Sequence, residues 1–466
     1  MQNAVVALTL ALVGGVAQSI TILGAGGGQA SATLMANISN TTLYGIYCLC
    51  GFVTGSVVTT IGPRWTIMLG IISYPIFLGA MWYFTLTGRL WYPIFSAVLV
   101  GFGAALLWTG AGYIAFSYPE EKNKARYLAI QWGSLSAGST VLSLVCMAIN
   151  FNADSPSVPR SIYILFITLQ AVTLLIVYFG LVDPSKVRRN DGTSLARYPH
   201  TDIWTELKAQ GELFRDWKAM VLFIPIFSSE IAIIIISTCN ALYFNLRTRS
   251  LNSVLFTVMQ MVGALVMMLL LDNQKIGTRR NRGLIGITVM GTVITAGWVG
   301  FAVWLAKYPL DYTALPAWDW SDGPFASFCV LNLIFGSNMV IWLIASLTNE
   351  PQRLARYAGY AKGVLAGGLC AVFGTEAAGL AQLKVLAFSF ALQFSGLFCL
   401  LYVCWKCIET TNYHKEENVV APLAVEKVML KDVEGVEVRL NTTTGEPEVV
   451  PTTTHVAEDV KQHNSL

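Results

Sequence analysis

Charge is what this sequence has least of. Lys, Arg, Asp and Glu make up 12% of its 466 residues, against roughly a quarter in an ordinary water-soluble domain. Hydrophobic residues reach 55%, and the mean hydropathy is +0.58. A folded chain in water cannot hide that much apolar surface, because its exterior must meet solvent. Lipid removes the demand. The net charge of +3, with no basic cluster interleaved with aromatics, argues against a nucleic-acid partner. Histidine is scarce too. The four present, His200, His414, His455 and His463, fall in loops or the tail, so no metal-ligand spacing arises and no cofactor is implied. Paired carboxylates, a Ser-His-Asp set and a phosphate-cradling loop are all missing. Gly24 to Gly28 is glycine-rich but lacks the lysine of a P-loop. An enzyme is not expected. The nine cysteines do not read as a disulfide framework. Cys48, Cys50, Cys146, Cys239, Cys329, Cys370 and Cys399 lie inside apolar runs, where Cys packs as a small hydrophobe. Cys404 and Cys407 sit at a span end, where packing is the better reading than palmitoylation.

What the sequence does have is long apolar runs. A helix crossing the bilayer needs about 20 mainly apolar residues. On that template, spans fall near 4–24, 39–61, 64–84, 91–117, 125–150 and 159–182, and again near 217–245, 250–271, 283–306, 324–348, 355–379 and 382–406. The organisation expected is an all-α integral membrane protein of about twelve transmembrane helices in two six-helix bundles. An amino-terminal bundle covers 1–182, a charged cytoplasmic linker 183–216, and a carboxy-terminal bundle 217–406. Residues 407–466, rich in Glu, Val and Thr with little periodicity, read as a disordered cytoplasmic tail. The lipid bilayer is the first partner.

Lys and Arg set the orientation. With the amino terminus in the cytosol, the inner loops hold seventeen of them and the outer loops six, which puts both termini inside. Sequons at Asn37 and Asn40 then fall in the first outer loop as glycosylation candidates, while the one at Asn441 faces the cytosol. The first span lacks a preceding Lys or Arg and a good cleavage region, so it reads as a span and not a signal peptide. The plasma membrane is favoured over internal membranes.

Several motifs carry a family resemblance. Gly24 opens GAGGGQ, and Asn40 to Arg64 reads NTTLYGIYCLCGFVTGSVVTTIGPR. Gly101 to Trp132 reads GFGAALLWTGAGYIAFSYPEEKNKARYLAIQW, Phe244 to Phe256 reads FNLRTRSLNSVLF, and Arg356 begins RYAGYAKGVLAGG. Together they resemble the fungal members of the Unc-ninety-three-like branch of the major facilitator superfamily, from about Gly15 to the last span. The resemblance implies a facilitator fold of two bundles rocking about a central site. It also implies two kinds of activity: solute transport, and, as in animal relatives that serve a potassium channel or escort innate immune receptors, service to another membrane protein. Two departures stand out. The seventh span runs Glu-Ile-Ala-Ile-Ile-Ile-Ile after Ser229, where the branch usually has polar and aromatic residues. Phe335-Gly336 is followed by Ser337 and Asn338, where it tends to have an acid.

Ionisable groups inside the hydrocarbon are costly and default to a functional reading. Glu230 lies near a midplane and suits a proton carrier or a contact for a cationic solute; a neutral Glu bonded to a neighbouring helix is the plainer alternative. Lys362, in Tyr-Ala-Lys-Gly, suits an anion contact or a partner for an acid, or it snorkels to the headgroups. Glu376 reads as solvated near a span end. Gln131 and Asn338 are amides at depth that need partners and join the candidate solute or proton site; Asn332, Trp108, Tyr113 and Trp132 raise the same question. Gly359, Gly363 and Gly367 share one helix face, as do Gly51 and Gly55, which lets backbones approach. Arg64, Asp272, Arg279 and Arg280 occupy the two inner loops where facilitators bridge their halves, and are the gate candidates; positive-inside anchoring is the alternative. The expected function is a secondary transporter of a small organic solute, with proton coupling through Glu230. The alternative is a non-transporting accessory subunit, such as a channel regulator or trafficking chaperone.

Overall fold

The computed structural model describes residues 1–22, 30–150, 160–189, 191–196, 203–309, 318–334, 339–416, 418–430, 436–441 and 444–451. Helix accounts for nearly all the regular structure. In the first half, α1 (Gln2–Thr9) and α2 (Gly15–Ile22) are joined by a π-helical turn at Leu10–Gly14. They are followed by α3 (Ala30–Thr87), α4 (Trp91–Ser117), α5 (Lys124–Asn150) and α6 (Arg160–Gly180). The linker carries α7 (Ile203–Glu212). The second half comprises α8 (Trp217–Ser228), α9 (Ala232–Tyr243), α10 (Leu246–Leu271), α11 (Arg279–Lys307), α12 (Gly323–Ile334), α13 (Val340–Ser346), α14 (Pro351–Ala377) and α15 (Gln382–Cys407). Beyond it come α16 (Leu423–Met429) and an antiparallel hairpin of β1 (Val436–Leu440) and β2 (Pro447–Pro451).

Among the described residues, nine helical segments are long and apolar enough to cross a membrane. One of them, Leu34–Thr87, is 54 residues long. It is two crossings joined at Gly62, whose φ of +80° is a left-handed conformation that glycine adopts without penalty. Pro63 follows directly. The α12–α13 pair and α14 complete the twelve-helix plan; α14 has 27 residues, about 40 Å of helix. The tail and the short loops that carry Glu121, Asp272 and Arg279 meet at one end of the bundle, with the linker packed on the tail; this end is here called the linker face.

Polar residues that read as loop can be helix. The first sequons fall inside α3, with Asn37 buried and Asn40 half-buried, so neither lies in an outer loop. Thr41 and Thr42 return their hydroxyls to the carbonyls of Asn37 and Ile38 at 2.7 and 3.0 Å, which satisfies them without leaving the helix. Part of the tail is also folded, contrary to the disorder expected of it. The strand Val436–Leu440 alternates apolar and charged residues, and its hairpin leans on the linker. The Ser194 N–H donates to Gly445 O at 2.7 Å, the Leu423 N–H to Asp191 at 2.9 Å, and Arg189 to Val420 O at 2.8 Å.

The halves meet most closely where α3 crosses α14. A Cβ on Gly51 would lie 2.6 Å from Gly363 Cα, and one on Gly359 would lie 2.8 Å from Gly51 O. Only glycine permits that approach, and it brings the two backbones into dispersion contact without large side chains between them. Gly51→Val is expected to destabilise the protein by about 1–3 kcal/mol through overpacking, read as a lower melting temperature in detergent. Gly133→Ala, where nothing lies within 4 Å, should leave it unchanged or higher. Equal behaviour of the two variants would contradict the close crossing.

Candidate functional site: a cavity between the halves

The seventh span is broken. Between α8 and α9, residues 229–231 form a turn, and the Ile233 and Ile234 N–H groups bond three residues back, to Glu230 and Ile231, at 3.2 Å each. Pro225 one turn earlier weakens the helix approaching it. Glu230 therefore sits at a break in a membrane-spanning helix, where a carboxylate can point away from lipid. It lines a cavity of about 190 Å³ between the halves, whose walls include Tyr44, Trp108, Trp132, Phe256 and Phe373, with Gln18 and Gln260 as amides. Glu230 Oε1 is shut off from solvent and accepts no hydrogen bond from the described residues. Lys362 is buried behind the wall, its ammonium 5.0 Å from the Trp108 ring and 5.5 Å from the Trp132 ring. Both indoles thus line the cavity and contact a cation, and Trp108 is fixed by donating to the Tyr74 hydroxyl at 3.0 Å.

Gln131 is elsewhere. It donates to Asn3 Oδ1 at 2.8 Å and to Ala111 O at 3.1 Å, tying α1, α4 and α5 together with its amide already used. Asn338, with Phe335 to Ser337, lies outside the described residues. Glu376 is buried, accepting from Gln382 at 2.5 Å, so it is not solvated as its sequence position suggested.

At the linker face the halves exchange charged groups. Asp272, at the end of α10, accepts the Ala125 and Arg126 N–H groups at 3.2 and 2.7 Å, capping α5 from the opposite half where the helix dipole favours an anion. Lys124 reaches the other way, donating to the carbonyls of Ala345 and Thr348 at the end of α13, where a cation is favoured. Glu121 accepts from Arg279 at 3.2 Å, Asn349 at 2.7 Å and the Asn412 N–H at 2.8 Å. The linker adds Glu206, which takes both Nε and Nη2 of Arg356 at 3.1 and 3.3 Å.

Of the four gate candidates, Asp272 and Arg279 bridge the halves. Arg64 does not: it stacks 4.6 Å over Tyr178 within its own half. Arg280 donates to Ile408 O at 3.1 Å, again within its half. Arg64 follows the Gly62 kink, which turns it toward α6, so proximity in loop order does not become proximity in space.

On the far side of the cavity the hydrogen bonds between the halves join neutral groups. Thr140 meets Thr257 at 2.8 Å and Ser143 meets Ser253 at 2.7 Å. Gln18 donates to Gln260 across the halves, while Ser19 and Ser139, 2.9 Å apart, join α2 to α5 within the first half. Tyr44 stacks on Phe373 with centroids 5.5 Å apart. Contacts thus join the halves on both sides of the cavity. Sequence reading missed this ladder and Glu121 with Lys124. The spacing of Ser136, Thr140 and Ser143 against Ser253, Thr257 and Gln260, one turn apart each time, was the signal available.

Two bundles with a broken helix and an acid at a cavity between them define a membrane protein of the transporter fold class. The fold is similar to that of solved facilitators. A proton:xylose symporter, XylE, matches with a TM-score of 0.61 at 12% identity, over 90% of this chain and 96% of that one. The facilitator FucP in its outward conformation matches at 0.55 and 11%, over 86% and 97%; another FucP structure is described as a fucose:proton symporter. Residues 36–297 match the family described as ion channel regulatory protein UNC-93. The chain belongs to the UNC-93 family. An uncharacterized membrane protein of Schizosaccharomyces pombe is 37% identical over 82% of this chain and 79% of its own. UNC93-like protein 1 of Arabidopsis thaliana is 32% identical over 74% and 76%.

The Asp272 cap carries a pH dependence. Burial lifts its carboxyl from 3.8 to about 6, against the pull of the two backbone N–H groups and of Arg282 and Arg126. Were the halves to part, Asp272 would be exposed and return to the lower value, so the closed seam binds a proton more tightly between these two values. Closure is therefore favoured as pH falls through about 6, and that gain is lost above it. From about pH 7.5 to about 5.5, the contribution of Asp272 to the closed-to-open ratio should rise roughly fourfold. Labelling of a cysteine placed at Ala129 from the linker face, compared between the wild type and Asp272→Asn, would read it as the difference between the two pH profiles. Identical profiles in the two proteins would remove Asp272 as a pH-dependent contact.

Proposed function

We propose that this protein is a secondary transporter moving a small organic solute by alternating access, with Glu230 carrying the proton. The observation behind this reading is the cavity itself: it holds an acid with an unpartnered oxygen, it lies where two six-helix halves meet, and separate sets of interhalf contacts bound it on its two sides. Breaking one set while the other holds is what alternating access requires. The cavity is smaller than the roughly 300–1,000 Å³ of drug-sized sites, which favours a small solute. Proton symport by the facilitators of similar fold supports the coupling. Residues 1–182 and 217–406 are the units that rock, and the Lys and Arg bias puts the linker face in the cytosol, with the plasma membrane the preferred location.

A second reading has its own support. The family is described as a regulator of ion channels, and the linker with its packed tail offers a folded surface at the linker face, suited to another membrane protein. The two readings separate at Glu230. A transporter coupled through it needs a group that loads and releases a proton; a regulator needs only a shape that Gln reproduces.

Glu230→Gln is therefore expected to abolish proton-gradient-driven uptake in vesicles while keeping expression, melting temperature and solute exchange without net proton movement. Gradient-driven uptake at the wild-type rate would remove Glu230 as the carrier. For orientation, a tag after Leu466 should stay inaccessible to impermeant probes in intact cells; labelling there would reverse the assignment.

A further inference from the structure

Arg249 lies on the face of α10 that also carries Ser253, Thr257 and Gln260, at steps of four, four and three residues that keep one helical face. It therefore continues the interhalf seam beyond the hydroxyl ladder, toward the end opposite the linker face. It is 2% exposed, and its Nε and Nη1 have no hydrogen-bond partner among the described residues. Its backbone is well held, the N–H donating to Asn245 O at 2.9 Å and the carbonyl accepting from Asn240 at 3.3 Å. The contrast with Arg247 is informative: two residues earlier, that guanidinium is paired with Asp319 and stacked 4.7 Å over Trp320. A buried guanidinium with no anion is strongly unfavourable, and none is in ion-pair contact with Arg249 among the described residues, so the position suits an anion supplied by a ligand.

Two of the other buried cations also lie between the halves without a carboxylate beside them. Lys362 stands at mid-depth against Trp108 and Trp132, and Lys124 at the linker face against helix carbonyls. None of the three has a carboxylate in ion-pair contact among the described residues. Between the first and second, the Ser253–Ser143 and Thr257–Thr140 pairs lead to Gln260 at the cavity. Glu230 is the one acid among the described cavity-lining residues. Lys362, behind Trp108 and Trp132 of the cavity wall, is a cation beside it.

We infer that the solute is a small organic monocarboxylate with an apolar or aromatic body, captured first by the guanidinium fork of Arg249 and carried past Lys362 together with a proton on Glu230. The inference rests on the transporter reading. The stoichiometry of one anion and one proton makes each transport step electrically neutral.

The test uses the full-length protein, purified and placed in vesicles, with benzoate, tetraethylammonium and glucose as probes, and thermal unfolding in detergent as a flux-independent readout of binding. Benzoate is expected to raise the melting temperature and to enter under an inward proton gradient without responding to an imposed membrane potential. Arg249→Gln should weaken benzoate at least tenfold, and Arg249→Lys should keep part of the affinity. Arg249→Met, by removing an uncompensated buried charge, should melt no lower than wild type without benzoate. Flux of tetraethylammonium or glucose with no effect of benzoate overturns the anion assignment and leaves a transporter. Neither binding nor flux for benzoate and a panel of other monocarboxylates overturns the assignment, and neither binding nor flux for all the probe classes removes its basis as well. Wild-type benzoate affinity in Arg249→Gln, or a lower melting temperature in Arg249→Met, makes the arginine structural.

Discussion

Ionised groups held away from water must be met by partners, and in this protein the partners at the linker face come from the opposite half. Asp272 caps a helix of the first half, Lys124 terminates a helix of the second, and Glu121 gathers donors from Arg279, the α13–α14 loop and the start of the tail. Each group would otherwise be left buried and alone, at a cost of several kcal/mol. These contacts are reversible in a way that apolar packing is not. Under the proposed alternating access, water would enter as the halves part and replace every partner, so the closed arrangement is specified without being made permanent. The cavity follows from the same constraint, since Glu230 is tolerated only where its helix breaks and opens a space that is not lipid.

The glycine crossing of α3 and α14 complements this. Gly51, Gly55, Gly359 and Gly363 let two backbones touch across the halves, with the aromatic pairs Tyr44–Phe373 and Phe52–Tyr360 packed along the same two helices. The serine and threonine ladder between α5 and α10 is similar in kind: small hydroxyls exchange partners readily. Exchanged charges therefore fasten the linker face, while neutral hydroxyls, amides and glycines make much of the contact along the rest of the seam.

Much of this was legible locally. The span expected at 91–117 is α4 residue for residue, and those at 125–150 and 382–406 differ from α5 and α15 by one residue at one end, because a membrane span is written in continuous hydropathy. The glycine faces and the importance of Glu230 and Lys362 were also visible, as charge and spacing are local properties. What could not be read was the identity of partners. Gln131 has the credentials of a site residue, yet Asn3 and Ala111 consume its amide. Arg64 resembles its gate neighbours in sequence, but the kink at Gly62 sends it to Tyr178. Asn37 to Thr42 looks like loop until the threonine hydroxyls fold back on their own helix. In each case a tertiary contact, absent from any window of sequence, decided the role.

The central claim is that the two halves are held at the linker face by exchanged charged groups and separate there. The direct measurement is the distance distribution between spin labels at Lys122→Cys and Lys275→Cys, both exposed positions on opposite halves, in protein whose native cysteines have been replaced. The expected result is a dominant short distance with a minor longer one that grows when Glu121→Gln removes the shared acceptor. A single distance, unchanged in Glu121→Gln, would contradict it.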